Sequence, residues 1–477
     1  MTADPLSGLH GTFSGRLFTD PEEMAPFLVD WRGLWRGDAL AVVQPDNAAD
    51  VAAVMRWASS TNTAVTPQGG NTGLSGGSVP EAGSRGIVLS LARLNRIRSV
   101  DPVNNSMTVE AGCVLAQVQA AADEADRLFP LSLAAEGSCT IGGNLAANAG
   151  GTGVLRYGNA RELCLGLEVV TATGEIWDGL RGLRKDNTGY SLRDLFVGSE
   201  GTLGIITAAV LKLYPRPVSR MAAFASLVSP HEALAVLTML QAKTGDGLTG
   251  FELMSDVCLE LVREHIPTAR IPVETGSSWY ILIEVSDLVS EDRATAALQD
   301  ALMAAYEAGH LVDVAFASSL AQTRDFWALR ENISEAQSAA GKTIKHDIAV
   351  PLSEIARFID QASAAVVARY PDARLVIFGH MGDGNLHFNI SPALGEDPAQ
   401  FLARQNDLNR IVHDLVAATG GSISAEHGLG VLRMDEAARY KSKVEMALMQ
   451  SIKRALDPTG IMNPGKVLQP DFQNTGW

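Results

Sequence analysis

Apolar and polar positions follow two different textures along the chain, and they meet near residue 215. Before it, short apolar runs are separated by clusters of glycine. Positions 46–59 carry apolar residues at spacings of three and four behind an Asp/Asn start, which predicts a first helix. A strand at 63–66 runs into a loop at 67–77 and is followed by a strand at 86–90. Positions 165–178 predict a hairpin turning at Thr173 and Gly174. After Pro215-Arg-Pro217, the best domain boundary, glycine thins out. Strands at 222–228, 279–285, 311–317 and 375–378 there alternate with helical runs at 231–242, 291–308 and 355–369. That alternation predicts an antiparallel sheet covered on one face by helices. A further helix is expected over 322–340, with Arg330 and Ser334 four apart on one face, and Lys345 and His346 follow on extended chain. The fold class is α+β.

Composition narrows the function. The chain has 477 residues, 46% of them hydrophobic, enough for two to four domains with large cores. Its formal charge of −16 without a basic block argues against nucleic acid and anionic membrane as partners. Any anionic substrate needs locally placed Arg or Lys. Four cysteines (113, 139, 164, 258) show no CxxC, which argues against a zinc ribbon or a disulfide framework. The N-terminal stretch has no charged start followed by an apolar core, and no run of 18 apolar residues occurs. A cytoplasmic location is expected.

The chemistry concentrates in two stretches. RLVIFGHMGDGNLHFNI, residues 374–390, is apolar at both ends with turn chemistry at Gly382-Asp383-Gly384-Asn385, hence a hairpin. His380 leaves its first strand, His387 enters the second, and Asn389 shares a face with His387. SAEHGLG, residues 424–430, adds Glu426 and His427. Two His and one carboxylate make a plausible divalent metal site with open positions, and His427 remains as a base. A single buried histidine is more often structural; four of the chain's nine at and around this turn favour a site. The glycine loop at 67–77 offers bare amides to a pyrophosphate. A second cluster at 136–152 contains Thr140 as a candidate helix cap, and a third spans 198–206. No G-x-G-x-x-G occurs, so a dinucleotide Rossmann unit is not indicated. Gly460 to Lys466 matches GxxxxGK but continues into Val467, which has no hydroxyl for magnesium. A candidate P-loop ending at Gly341-Lys342-Thr343 has Ala336 in place of its first glycine.

PQGGNTGLSGG, GSCTIGGNLAANAGG, RKDNTGY, GSEGTLGIIT, the hairpin, SAEHGLG and DPTGIMNPGK occur in that order. Together they resemble the FAD-linked D-2-hydroxy acid dehydrogenases of the vanillyl-alcohol-oxidase superfamily, over roughly residues 35 to 470. The resemblance implies an FAD-binding domain of two α+β subdomains at 35–217. A cap domain at 218–455 would hold substrate and metal, and a segment at 456–477 would return to the flavin domain. It implies FAD held by Pro67, Gln68, Gly69, Gly70, Asn71, Thr72, Gly73, Leu74 and Gly76 of the first loop. Glu136, Gly137, Ser138, Thr140, Ile141, Gly142, Gly143, Asn144, Ala147, Gly150 and Gly151 would follow, with Tyr157 and Gly158. Glu200, Gly201, Gly204, Ile205 and Asn463 complete that set.

Covalently flavinylated branches carry His where this chain has Asn71, so FAD is expected to be non-covalent. By the same resemblance His380, His387 and Glu426 hold Zn²⁺ or another divalent ion such as Mn²⁺. His427 is the base, and Arg330, Ser334, Lys345 and Asn389 bind substrate. Ser334 departs from the Thr expected in the branch acting on D-2-hydroxyglutarate, but keeps the hydroxyl. That branch is expected, with D-lactate dehydrogenase or a glycolate oxidase subunit as the alternative. Electron-transferring flavoprotein or a quinone is the expected acceptor, and a homodimer is open. A non-haem Fe(II) oxygenase would use a similar ligand set but leaves three glycine loops unexplained.

Overall fold

A computed structural model describes residues 5–469; positions 1–4, and 470–477 of the expected C-terminal segment, lie outside the described residues. The chain forms two units. One comprises residues up to Gly151, Gly158–Arg216 and Glu426 onward, and the other Thr152–Tyr157 and Pro217–Ala425. The described chain from Glu426 onward belongs to the first unit, including residues 456–469 of the expected C-terminal segment.

The first unit holds a four-stranded sheet, a five-stranded sheet and a two-stranded pair, Arg127–Leu128 with Tyr214–Pro215. In the four-stranded one the order is Gly15–Phe18, Ala41–Pro45, Ile87–Ser90, Val65–Gln68. Ala41–Pro45 and Val65–Gln68 both run parallel to Ile87–Ser90. The connection between the first two is helix Ala48–Thr61, started by Asn47, whose side chain accepts from the Asp50 N–H, and stopped by Asn62 at φ +54°. The second sheet is antiparallel, in the order Ile97–Asp101, Ser106–Glu110, Ile205–Lys212, Cys164–Val170, Ile176–Gly179. Its last pair is the expected hairpin.

The second unit is built on a seven-stranded antiparallel sheet. Its order is Asp313–Phe316, Ser219–Leu227, Trp279–Asp287, Leu248–Ser255, Arg374–Gly379, Asn385–Ser391, Asp347–Ala349. The central strand Leu248–Ser255 was not expected, because Thr249-Gly250 and Glu252 interrupt its apolar character. All eight of its residues are buried, and alternate residues face opposite sides, so helices cover both faces and not one. On one face Phe224, Leu282, Met254, Val376 and Phe378 pack with Cys258, Phe326, Leu329 and Ile333. Those four come from helices Asp256–His265, Leu320–Glu331 and Ile333–Ala339. Helices Pro230–Thr244 and Glu291–Glu307 also pack on the sheet.

The single helix expected over 322–340 is two. Asn332 separates them with ψ −7°, a slight unwinding at a residue whose side chain competes for backbone hydrogen bonds. Arg330 is buried, whereas Ser334 is exposed. No helix among the described residues is long and apolar enough to cross a membrane.

Candidate active site

The expected hairpin forms between Arg374–Gly379 and Asn385–Ser391, with Phe378 opposite His387 and Val376 opposite Asn389. Its turn is a short 3-10 segment, Met381–Asp383, closed by Gly384 at φ +86°, where a side chain would also meet the Val350 carbonyl. Asp383 Oδ1 accepts from the Asn385 N–H and fixes the return. On the other side Met254 pairs with Phe378 and Leu253 with Gly379. One step further along that register Glu252 faces His380.

Five side chains of the cap unit then close into a ring. Glu252 Oε1 lies 2.6 Å from His380 Nδ1, and Glu252 Oε2 accepts from Arg330 Nε at 2.7 Å. The Arg330 guanidinium sits 4.7 Å from the Phe378 ring centre. Phe378 lies 4.9 Å from the His387 ring and His387 lies 5.9 Å from the His380 ring. Burial alone raises the Glu252 pKa, but the His380 and Arg330 charges and hydrogen bonds outweigh it and hold the group at about 2. An ionised carboxylate only accepts, so His380 presents its Nδ1–H to Glu252, and Nε2 is the ring nitrogen left for another partner.

The other expected residues divide. Asn389 is buried; its Nδ2 donates to Gln337 Oε1 at 3.0 Å and its Oδ1 accepts from the His346 N–H at 3.2 Å. Asp347 pairs with His387 in register, and Ile344 with Ile390, so Lys345 falls opposite Asn389. Lys345 and Ser334 are exposed. Sequence reasoning missed Glu252, Asp347 and Gln337. A lone carboxylate in the apolar run FELM was the available signal for Glu252. Asp347 lies 4.0 Å from His387 Nδ1 and accepts from Asn385 Nδ2 at 3.0 Å. Its carbonyl accepts from the N–H of Ala425, the residue preceding Glu426.

In the first unit the three glycine loops and the chain from Glu426 onward converge. Ser75 Oγ donates to the His427 carbonyl at 3.0 Å, and Glu200 accepts the N–H groups of Leu429 and Gly430, each at 2.8 Å. Burial raises the Glu200 pKa, and those two N–H groups partly offset the effect. The Glu200 carboxylate, expected near a cofactor, therefore anchors the loop that carries His427. Asn463 Nδ2 donates to the Gly77 and Glu200 carbonyls. Glu426 packs against Gly150, where a Cβ would meet its Oε1. Gly70 approaches the second loop so closely that a Cβ would meet the Ser138 carbonyl at 2.1 Å.

Within this convergence Thr140 Oγ1 and Asn463 Oδ1 are buried without a hydrogen-bond partner. Thr140 occupies the cap position of helix Ile141–Ala146 but does not make the expected capping bond. The Thr140 hydroxyl, a donor beside bare glycine amides, suits a phosphate oxygen, whereas the Asn463 amide oxygen suits a ligand N–H or O–H. Asn71 has φ +53°; its Nδ2 donates to the Val29 carbonyl and its Oδ1 accepts from Ser78 Oγ. Tyr157, expected near the cofactor, belongs to the cap unit, where Arg156 beside it donates to Ser286 Oγ.

Residues 39–179 match the FAD binding domain, and residues 216–467 match the C-terminal domain of FAD linked oxidases. Curated relatives include D-2-hydroxyglutarate dehydrogenases from Bos taurus and Xanthomonas citri. The first is 39% identical, covering 98% of this chain and 84% of the relative; the second is 38% identical, covering 95% and 94%. Solved structures share the fold at 16% identity. p-Cresol methylhydroxylase superposes with TM-score 0.75 over 94% of this chain and 93% of that one. Alkyldihydroxyacetonephosphate synthase does so with 0.72 over 94% and 82%. The chain belongs to the FAD-linked oxidases. Its chemistry is that of an FAD-dependent dehydrogenase acting on a CH–OH donor.

The loop contact at Gly70 makes a direct test. Gly70→Ala forces the first and second loops apart and should leave purified protein with less than about a tenth of its flavin, read as the ratio of 450 nm to 280 nm absorbance. A full complement of flavin would show that this contact does not shape the cradle.

Proposed function

We propose that the protein oxidises D-2-hydroxyglutarate to 2-oxoglutarate. The observation that carries this reading is its likeness, over nearly its whole length, to D-2-hydroxyglutarate dehydrogenases of animals, a plant and bacteria. D-lactate is not favoured by that likeness. In this reading bound FAD would supply a two-electron acceptor for the C2 hydrogen, and a divalent ion, Zn²⁺ or Mn²⁺, would supply Lewis acidity at the 2-hydroxyl. His427 accepts the hydroxyl proton as general base. His380, His387 and Glu426 would hold the ion. The donor set suits that role, because Glu252 holds His380 in the tautomer whose Nε2 can ligate.

Arg330, Lys345, Ser334 and Asn389 hold the two carboxylates. Arg330 Nε is committed to Glu252, so a carboxylate meets its Nη groups. Asn389 is committed to Gln337 and His346, which makes it a fixed wall of the site with its remaining N–H as the donor. FAD is bound without a covalent link, in keeping with an Asn71 side chain engaged on Val29 and Ser78. The acceptor that would reoxidise the flavin is a flavoprotein or a quinone.

Three measurements test the reading. Acid precipitation should release all yellow colour into the supernatant; colour in the pellet would contradict non-covalent binding. Chelation, or His380→Ala, should abolish reduction of the flavin by substrate while FAD stays bound. Full activity in protein shown metal-free by elemental analysis would remove the ion from the mechanism. Selectivity tests the substrate itself. Charge-assisted hydrogen bonds to a carboxylate contribute roughly 1.5–3 kcal/mol each, and a buried donor left unpaired by a shorter substrate costs a similar amount. D-2-Hydroxyglutarate should therefore exceed D-lactate in kcat/KM by at least about tenfold, the equivalent of roughly 1.4 kcal/mol. Lys345→Met should narrow the gap by hurting the diacid more. Equal or better turnover of D-lactate would place the enzyme in the other branch.

A further inference from the structure

We propose that Glu252 is a positioning residue that couples the ion site to the substrate-carboxylate site, one oxygen holding each. The inference rests on the roles proposed for His380 and Arg330, and adds a residue outside that set. Glu252 is 1% exposed and lies in the middle of the central strand. Its two oxygens are divided: Oε1 faces His380 Nδ1 at 2.6 Å and Oε2 faces Arg330 Nε at 2.7 Å. His380 stands at the mouth of the hairpin turn, whereas Arg330 arrives on a separate helix, and the carboxylate fixes one against the other. A merely apolar residue would pack here without difficulty, since Phe224, Leu282 and Met254 share this face of the sheet.

The chemistry of the substitution distinguishes this role from simple packing. Arginine has no acceptor, so the side chain in Glu252→Gln must turn its carbonyl to Arg330 and its NH₂ to His380. The NH₂ then donates to His380 Nδ1, the ring proton moves to Nε2, and the lone pair needed by an ion disappears. Glu252→Asp keeps two acceptor oxygens and the original tautomer, but is one methylene too short to span both partners. Glutamine should therefore harm ion binding more than aspartate does, although glutamine is closer in shape. Carboxylate partners of ligating histidines commonly change metal affinity by about 10–100-fold.

The test uses the flavin-loaded full chain, stripped of metal and titrated with Zn²⁺ against a chelating dye, with thermal melting and flavin content recorded for each variant. Glu252→Gln should bind Zn²⁺ about 10–100-fold more weakly with flavin retained, and Glu252→Asp should fall between it and the parent. At saturating Zn²⁺ both variants should show a raised KM for D-2-hydroxyglutarate, because Arg330 is no longer fixed. Unchanged Zn²⁺ affinity and KM in Glu252→Gln, or in Glu252→Asp if the Gln variant fails to retain flavin, would overturn the proposal. Equal weakening by both variants would overturn the tautomer argument. His380→Asn separates the two levels of inference. If it loses Zn²⁺ while Glu252→Gln binds normally, only the role of Glu252 falls. If it retains full affinity, the ion assignment falls, and the coupling with it.

Discussion

Phe378 is paired on both sides, with Met254 on one and His387 on the other, and this double register is what the cap unit's chemistry depends on. Side chains in a sheet alternate between faces, so a shift of one residue would send His387 and Asn389 to the opposite side. The apolar face made by Phe224, Leu282, Met254, Val376 and Phe378 resists that shift, because it would expose those groups. Hydrophobic register thus places polar groups. Glu252, His387, Asn389 and Asp347 stand among or beside apolar neighbours on strands whose alignment is set by burial.

The first unit solves a different problem with local hydrogen bonds between parts remote in sequence. Ser75, Glu200, the loop after His427, and Asn463 meet although they lie hundreds of residues apart. Lys453 strengthens the return by donating to the Thr202 and Met462 carbonyls and to Asp457. Val467, a β-branched residue at φ +65°, is held there with its N–H on the Gly430 carbonyl. A backbone of that kind costs of order 1–3 kcal/mol and persists only where the surroundings enforce it. The chain through Val467 is therefore a structural member of the unit.

Much of this was legible in the sequence because turn chemistry and periodicity are local. The hairpin around His380 and His387 and the 355–369 helix both follow from short-range pattern. What escaped was decided at long range. The central strand Leu248–Ser255 carries Gly250 and Glu252, which weaken any strand signal, and burial on both faces overrides that weakness. The helix carrying Arg330 was drawn too long because apolar spacing continues across Asn332, and only the backbone reveals the interruption. The hydrogen bonds of Glu200 to the backbone at 429 and 430 likewise have no trace in the local pattern.

The buried charges of the cap unit also argue about purpose. Glu252 and Arg330 are both almost fully buried, and desolvating such a pair typically cancels most of its attraction. Well-packed apolar residues of similar volume are often neutral or stabilising by about 1–4 kcal/mol in place of a buried ion pair. Stability alone therefore gives no reason for a carboxylate in the centre of a sheet whose neighbouring strands supply a continuous apolar core. A carboxylate does what an apolar group cannot: it fixes the tautomer of one ring and the plane of one guanidinium at the same time. That is a requirement of chemistry at the hairpin mouth, and the fold accommodates it by surrounding the pair with partners that leave neither Glu252 oxygen unsatisfied.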